Sequence, residues 1–407
     1  MLKYKKSILS LASTLLSITI IGCGYDNDGK NVVDEDRLIS VTPLFDINSS
    51  TMQTVVNQLA PGHPAFGIKG YRVVYKTKDD KGKDIKASGL ITVPVASKLI
   101  LDGLKKKGKN FSISIVSDQH GTIFPDSDAP TSSVILSKKP TDIATLFSAV
   151  GGFMTIQPDY IGFGESKGKV HPYLLEDPSA STVIDLLKSA IKFADENSFP
   201  INGQIFLSGY SEGGYVTLAA QDEIEKNHPE LHLTGVSAMS GLYDLNLIGL
   251  GVVSQAQIGR VDFVGGIINS YAKAYDLNLS QIVQEQYASK FPTLYDATKT
   301  ATQIQEELTD DTNSFFVPSF RADFLQNPNN KLRKEFVENS VDDFKPNTPT
   351  KLLYCSGDKT VDPRIALSAS KKLGVDAIDL NSSLNHTQCA FPAYFFTLKY
   401  FDKLRSK

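Results

Sequence analysis

The segment Ile205-Phe206-Leu207-Ser208-Gly209-Tyr210-Ser211-Glu212-Gly213-Gly214 sets one serine in the pattern Gly-x-Ser-x-Gly. A serine on a sharp strand-to-helix turn needs neighbours without side chains, here Gly209 and Gly213, so that the backbone can fold back tightly. The turn exposes the hydroxyl above the strand and puts a helix N-terminus beneath any negative charge that develops there. The bare pentapeptide is weak evidence. A short apolar strand running into Gly209, and a helix that begins there and continues through Val216, Leu218 and Ala219 to about Lys226, make it specific for a nucleophilic serine.

A serine hydroxyl is inert near neutral pH unless a base takes its proton. The six histidines are His63, His120, His171, His228, His232 and His386. For a serine on this kind of turn, the partners follow in the order acid, then histidine. His63, His120 and His171 precede Ser211, and His228 and His232 come just after the helix with no strand-end acid before them. His386 remains, expected in a loop after a strand at Ala377. The acid should close a strand between the two, and Leu352-Leu353-Tyr354-Cys355-Ser356-Gly357-Asp358-Lys359-Thr360-Val361-Asp362-Pro363 offers Asp358 and Asp362. Asp358 comes first after the strand and is preferred; Asp362 precedes a proline and suits a helix cap.

A tetrahedral intermediate also needs two backbone N–H donors. One belongs to the residue after the nucleophile, Glu212. The other is expected from His120-Gly121-Thr122, as Gly121 or Thr122; a simple tight turn is the lesser alternative.

These groups require a scaffold of strands and helices. Tyr71 to Thr77 and Ile85 to Pro94 alternate apolar and polar residues around Asp79-Asp80-Lys81-Gly82, which predicts a hairpin. Apolar runs at Phe111 to Val116, Phe153 to Gln157, Ile205 to Ser208, Val236 to Met239, Leu352 to Tyr354 and Ala377 to Leu380 read as strands. Helical spacing covers about Ser179 to Glu196 and Ala393 to Leu404. Strands alternating with helices imply an α/β fold, a mostly parallel sheet covered on both faces. Between Val236 and Leu352 lie about a hundred residues with helical patterns at Val264–Tyr275, Ser280–Tyr287, Thr298–Leu308 and Lys331–Val337, better read as an inserted helical cap than as loop. Lys105-Lys106-Lys107 reads as solvated loop. Gly162-x-Gly164 reads as a structural turn, with Asp159 capping it and not catalytic.

Gln119-His120-Gly121-Thr122, Pro158-Asp159-Tyr160-Ile161-Gly162-Phe163-Gly164, His171-Pro172-Tyr173, the serine segment, Asp358 and His386 stand in an order that resembles the α/β-hydrolase superfamily. More narrowly, it is similar to secretory-type lipases and esterases with a helical cap before the acid, over about Tyr71 to Leu404. The resemblance implies an α/β-hydrolase fold, a triad of Ser211, Asp358 and His386, an oxyanion hole near Thr122 and Glu212, and no cofactor. No metal-ligand spacing is present either. Two departures bear on the substrate more than on the reaction: glutamine is commoner at position 212, and Cys355 stands where many hydrolases have glycine. Cys355 and Cys389 flank the loops of the acid and the histidine. If those loops converge, an oxidising envelope could join the thiols; two separate buried cysteines are the alternative.

The chain of 407 residues is 41% apolar and 21% charged with net charge −3, too apolar for disorder and too neutral to hold nucleic acid by charge. Lys3, Lys5 and Lys6 precede a charge-free stretch from Ser7 to Gly22, shorter than the roughly 20 apolar residues a spanning helix needs. It ends in Ile20-Ile21-Gly22-Cys23, which resembles the lipobox of bacterial lipoproteins and implies acylation of Cys23. A plain secretory signal is the alternative. The expected organisation is 1–22 signal peptide, 23–40 acylated cysteine and polar tether, 41–245 hydrolase core, 246–345 helical cap and 346–407 the rest of the core. The expectation is a serine esterase of lipase type acting on a small-molecule or lipid ester, held in the bacterial cell envelope by a lipid anchor. A serine peptidase on the same fold, or an inactive surface-binding protein, are the alternatives.

Overall fold

The computed structural model describes residues 37–140 and 142–405. The expected signal segment 1–22 and Cys23 lie outside the described residues.

Alternating side chains build one end of the sheet. Strands β1 (Leu38–Ile47), β2 (Gly67–Lys78) and β3 (Asp84–Val95) pair antiparallel, and the Asp79 carboxylate accepts from the N–H groups of Lys81 and Lys83 to set the β2–β3 turn. The apolar runs supply β4 (Ile113–Gln119), β5 (Met154–Pro158), β6 (Ile201–Tyr210), β7 (Leu233–Met239), β8 (Thr350–Tyr354) and β9 (Asp376–Asp379). These six run parallel in one nine-stranded sheet of order β1-β2-β3-β5-β4-β6-β7-β8-β9.

Helices α1 (Ser49–Leu59), α2 (Lys98–Lys106), α3 (Pro130–Ser137) and α4 (Thr145–Ala149) come early. They are followed by the long α5 (Glu176–Glu196) and α6 (Glu212–Asn227). The pleat sends successive side chains to opposite faces. Ile205, Leu207, Val236 and Leu352 join a core with Val183, Leu187, Val216 and Ala220 of α5 and α6. Phe206, Met239 and Leu353 point the other way, into a second core with Tyr394, Leu398 and Phe401. Their strands are therefore apolar on both faces, which is why they read as runs rather than alternations.

Between β7 and β8 the described chain is helical: α7 (Leu245–Ser254), α8 (Val261–Ala274), α9 (Glu285–Ala288), α10 (Phe291–Leu294), α11 (Ala301–Glu307), α12 (Thr312–Phe315), α13 (Pro318–Gln326) and α14 (Lys331–Glu338). After β8 come α15 (Pro363–Leu373) and α16 (His386–Arg405).

Several local expectations change. Strand β1 starts at Leu38, inside the stretch read as tether. The helical pattern at Ser280–Tyr287 divides into a 3₁₀ turn at Leu279–Gln281 and the short α9. Lys105 and Lys106 close α2 and Lys107 caps it; all three are exposed. Gly209 is still in β6, and the helix opens at Glu212. No described helix is long and apolar enough to cross a membrane.

Candidate active site

Ser211 joins β6 to α6 with φ 60° and ψ −120°, a left-handed conformation that a side chain disfavours. The turn is held by close approach on both sides. A Cβ on Gly209 would stand 2.2 Å from the Gly213 carbonyl oxygen, and one on Gly213 would stand 1.8 Å from that of Gln119. The Ser211 N–H donates to the Met239 carbonyl at the end of β7 (2.9 Å), fixing the turn to the next strand. The serine is 6% exposed.

Asp358 lies in the turn after β8. Its Oδ1 accepts from the N–H groups of Thr360 (2.8 Å) and Val361 (3.0 Å), which leaves Oδ2 to face His386. His386 Nδ1 lies 2.6 Å from Asp358 Oδ2, and His386 Nε2 lies 2.9 Å from Ser211 Oγ. The structure thus brings hydroxyl, imidazole and carboxylate into one line from three separate elements. Asp362, the other carboxylate considered, caps α15 through the Arg364 N–H and pairs with the Arg364 guanidinium. His386 is not in a free loop as expected but is the first residue of α16. Tyr210 OH donates to the His386 carbonyl (2.5 Å) and its ring lies 5.1 Å from the imidazole. Burial pushes the Tyr210 phenol far above its ordinary value, so it serves as a neutral donor.

Gly121 sits against Ser211: a Cβ there would stand 3.2 Å from the Tyr210 carbonyl oxygen and 3.6 Å from Ser211 Cβ. Thr122 follows, its Oγ1 2.6 Å from Tyr173 OH. Glu212 opens α6 with its carboxyl buried. Asp159 accepts from Ser88 Oγ (2.5 Å) and from Thr131 N (2.8 Å) and Oγ1 (2.5 Å), and burial raises its carboxyl. Gly164 packs on that same carboxylate, where a Cβ would stand 2.4 Å from Oδ2.

Cys355 and Cys389 form a disulfide. Cys355 lies just before the turn of Asp358 and Cys389 in the first turn of α16, so the bridge ties the elements that carry the carboxylate and the imidazole.

An open cleft of about 350 Å³ lies over Ser211 and His386. Its walls include Phe124 from the segment after β4, Arg260 and Phe263 at the start of α8, and Thr300 and Ala301 at the start of α11. The Arg260 guanidinium lies 3.6 Å from the Phe263 ring centroid and donates to the buried Asp262 carboxylate through Nε (3.0 Å) and Nη2 (2.6 Å). The aromatics Phe315, Phe316 and Phe320, considered for an acyl pocket, do not line this cleft. Phe315 and Phe316 are buried in the cap, and Phe316 and Phe320 edge a separate apolar cavity with Leu245, Val252, Ile267 and Phe336. Sequence reasoning missed Arg260, Phe263 and Tyr210 as site residues. The first two carry no motif, and only the turn of the cap over the sheet brings them there. Tyr210 stood within the Gly-x-Ser-x-Gly pattern, but nothing in that pattern tells which way the ring points. Among the described residues, no cluster of His, Cys, Asp and Glu could hold a metal ion.

The fold recurs in solved structures. A candidate hydrolase from Legionella pneumophila superposes with TM-score 0.79 at 23% identity, covering 91% of this chain and 98% of that one. The rice cell wall degrading esterase LipA from Xanthomonas oryzae gives 0.77 at 23% identity, with 91% and 97% covered. Candida antarctica lipase A in its closed state gives 0.65 at 12% identity, with 90% and 82% covered. No curated protein matches the chain in sequence. The secretory lipase family model matches residues 129–377, a span from α3 into β9 that contains the Ser211 turn, the helical cap and the Asp358 turn. The chain therefore belongs to the secretory lipase family and is a carboxylic ester hydrolase with the α/β-hydrolase fold.

Proposed function

We propose that the protein cleaves carboxylic esters through a covalent acyl-enzyme on Ser211. His386 Nε2 takes the Ser211 proton as Oγ attacks the ester carbonyl, and Asp358 holds the imidazole in the tautomer with hydrogen on Nδ1. The oxyanion receives the Glu212 N–H and that of Gly121 or Thr122, each donor contributing about 10²–10³ in rate. Collapse expels the alcohol, which takes the proton back from His386. Water, deprotonated by the same imidazole, then attacks the acyl-enzyme and releases the acid. The observation that carries this reading is the unbroken line of 2.9 and 2.6 Å between groups 175 and 28 residues apart in sequence. An open cleft with phenyl walls and one arginine suits an ester with an apolar acyl part and a polar alcohol part.

The basic and apolar N-terminus with Ile20-Ile21-Gly22-Cys23 supports export and lipid anchoring at Cys23, placing the enzyme in the bacterial cell envelope. The test of the activity is a rate series on p-nitrophenyl esters of increasing chain length and on peptide amides, with Ser211→Ala as control. Ester turnover lost in the variant is the expected result. Amide cleavage outpacing ester cleavage would favour a peptidase, and no turnover of either would favour a binding protein.

A further inference from the structure

A second imidazole–carboxylate pair stands behind the nucleophile and takes no part in the proton transfers above. His171 Nε2 lies 2.7 Å from Glu212 Oε1, and His171 Nδ1 lies 2.9 Å from the Ile161 carbonyl oxygen. Glu212 is 1% exposed, and its Oε2 is buried with no hydrogen-bond partner. The His171 ring stacks with both Tyr160 (5.8 Å) and Tyr173 (5.6 Å). Tyr160 OH donates to the His120 carbonyl (3.0 Å), and Tyr173 OH shares a hydrogen bond with Thr122 Oγ1 (2.6 Å). One aromatic stack therefore braces the 120–122 segment and Glu212, the two pieces of backbone that face the substrate oxyanion in the reading above.

The hydrogen count at this pair is fixed by its partners. A carbonyl oxygen only accepts, so Nδ1 carries a hydrogen. At Nε2 a carboxylate requires a second N–H, which makes an imidazolium; a neutral imidazole requires a protonated carboxyl. Both arrangements hold the same single proton and the same net charge of zero. Without it, a buried carboxylate would face a nitrogen lone pair, and its negative charge would sit one residue from Ser211, opposing the oxyanion.

The surrounding groups do not take over this role. Burial, with the Glu212 charge adding to it, holds the Tyr160 and Tyr173 phenols far above their ordinary value, so both stay neutral. His120 stacks on Tyr160 (4.0 Å) with Nε2 toward the Asp159 carbonyl, and Asp159 is bound to Ser88 and Thr131. Asp118, which acts on Tyr160 through space, accepts from Ser208 and Tyr394. Asp262 and Arg260, which act on Tyr173, pair with each other. Lys169 lines the same small cavity as His171 and faces Asp79 at 3.6 Å. His386 and Asp358 lie beyond Ser211.

We propose that His171 and Glu212 are positioning residues that share one proton and so keep the wall of the oxyanion pocket electrically neutral while bracing it. The inference rests on Ser211 being the nucleophile. It is tested by kcat and KM at one fixed pH for the wild type, Glu212→Gln, His171→Gln and the double variant, with thermal melting as the check on folding. His171→Gln should lower kcat about a hundredfold with little change in KM, and adding Glu212→Gln, which leaves no carboxylate to expose, should restore at least about tenfold. A folded double variant no better than His171→Gln would overturn the proposal, as would a loss in His171→Gln that lies in KM alone. If His171→Gln does not fold, the same comparison is made with His171→Asn. Ser211→Ala run alongside separates the two claims: turnover persisting there removes the nucleophile reading itself, whereas turnover lost there confines any failure to the pair.

Discussion

Ser211 keeps a backbone conformation that costs about 1–3 kcal/mol for a residue with a Cβ, and the surrounding close approach of Gly209 and Gly213 enforces it. Its two partners can be told from their look-alikes by substitution. Asp358→Asn keeps the shape of the side chain but reverses the hydrogen bond that orients His386; kcat should fall by about 10⁴ with melting little changed. Asp362→Asn should leave kcat within about twofold and melting nearly unchanged, because asparagine caps a helix about as well as aspartate and the Arg364 pair is exposed. Kinetics and melting curves on the two variants check this. At this scale much of the candidate site was legible. The glycine spacing marked Ser211, the order of strands and histidines pointed to His386, and the distance from the strand end favoured Asp358. Arg260, Phe263 and the Glu212–His171 contact were not legible, because no spacing rule relates residues that meet only through the packing of α8 or the turn after β5.

Among the elements, α16 and the turn after β8 matter most, because each supplies one partner of Ser211 and the Cys355–Cys389 bridge joins them. The bond closes a span of 34 residues, for which chain entropy gives roughly 3–4 kcal/mol. Replacing both cysteines with serine should lower the melting temperature accordingly and reduce kcat as the spread of His386–Asp358 distances widens. Unchanged kcat and melting would show the bridge to be dispensable. Helix α5 carries a different liability. Burial first, then the nearby Asp222, Asp343 and Asp177 carboxylates, push Glu176 up to about 8 from 4.5. The folded protein then keeps a proton that the unfolded chain releases, so stability falls as pH rises from about 4.5 through about 8. Glu176→Gln should raise the melting temperature above pH 8 and change little near pH 4, which melting curves across that range will show. The β2–β3 hairpin and the parallel strands were readable from alternation and apolar runs. Strand β1 was not, since none of its residues is buried and its pattern carries no periodic signal. The early start of α16 was hidden because Pro392, in its second turn, reads as a breaker.

At the scale of the whole molecule, the parallel strands β4 to β9 end on one side of the sheet, and that side receives Ser211 after β6 and Asp358 after β8, with the Phe124 segment following β4. The cap helices α8 and α11 then wall the cleft. The alternation of strands and helices made the fold class readable, and the long strandless stretch marked where a cap would be inserted. Which cap residues meet Ser211 depends on how that stretch folds back, which helical periodicity does not encode. The sequence at Cys23 adds an expectation about the full chain: Cys23→Ser should move the protein from the detergent phase to the aqueous phase in a Triton X-114 partition, and an unchanged partition would remove the lipid anchor from the account. The convergence itself is tested most directly by reacting the protein with a fluorophosphonate and mapping the adduct by mass spectrometry. One adduct on the peptide containing Ser211, absent in Ser211→Ala and slowed at least about a hundredfold in His386→Ala, is the expected result. An adduct elsewhere, or labelling of Ser211 that does not depend on His386, would contradict it.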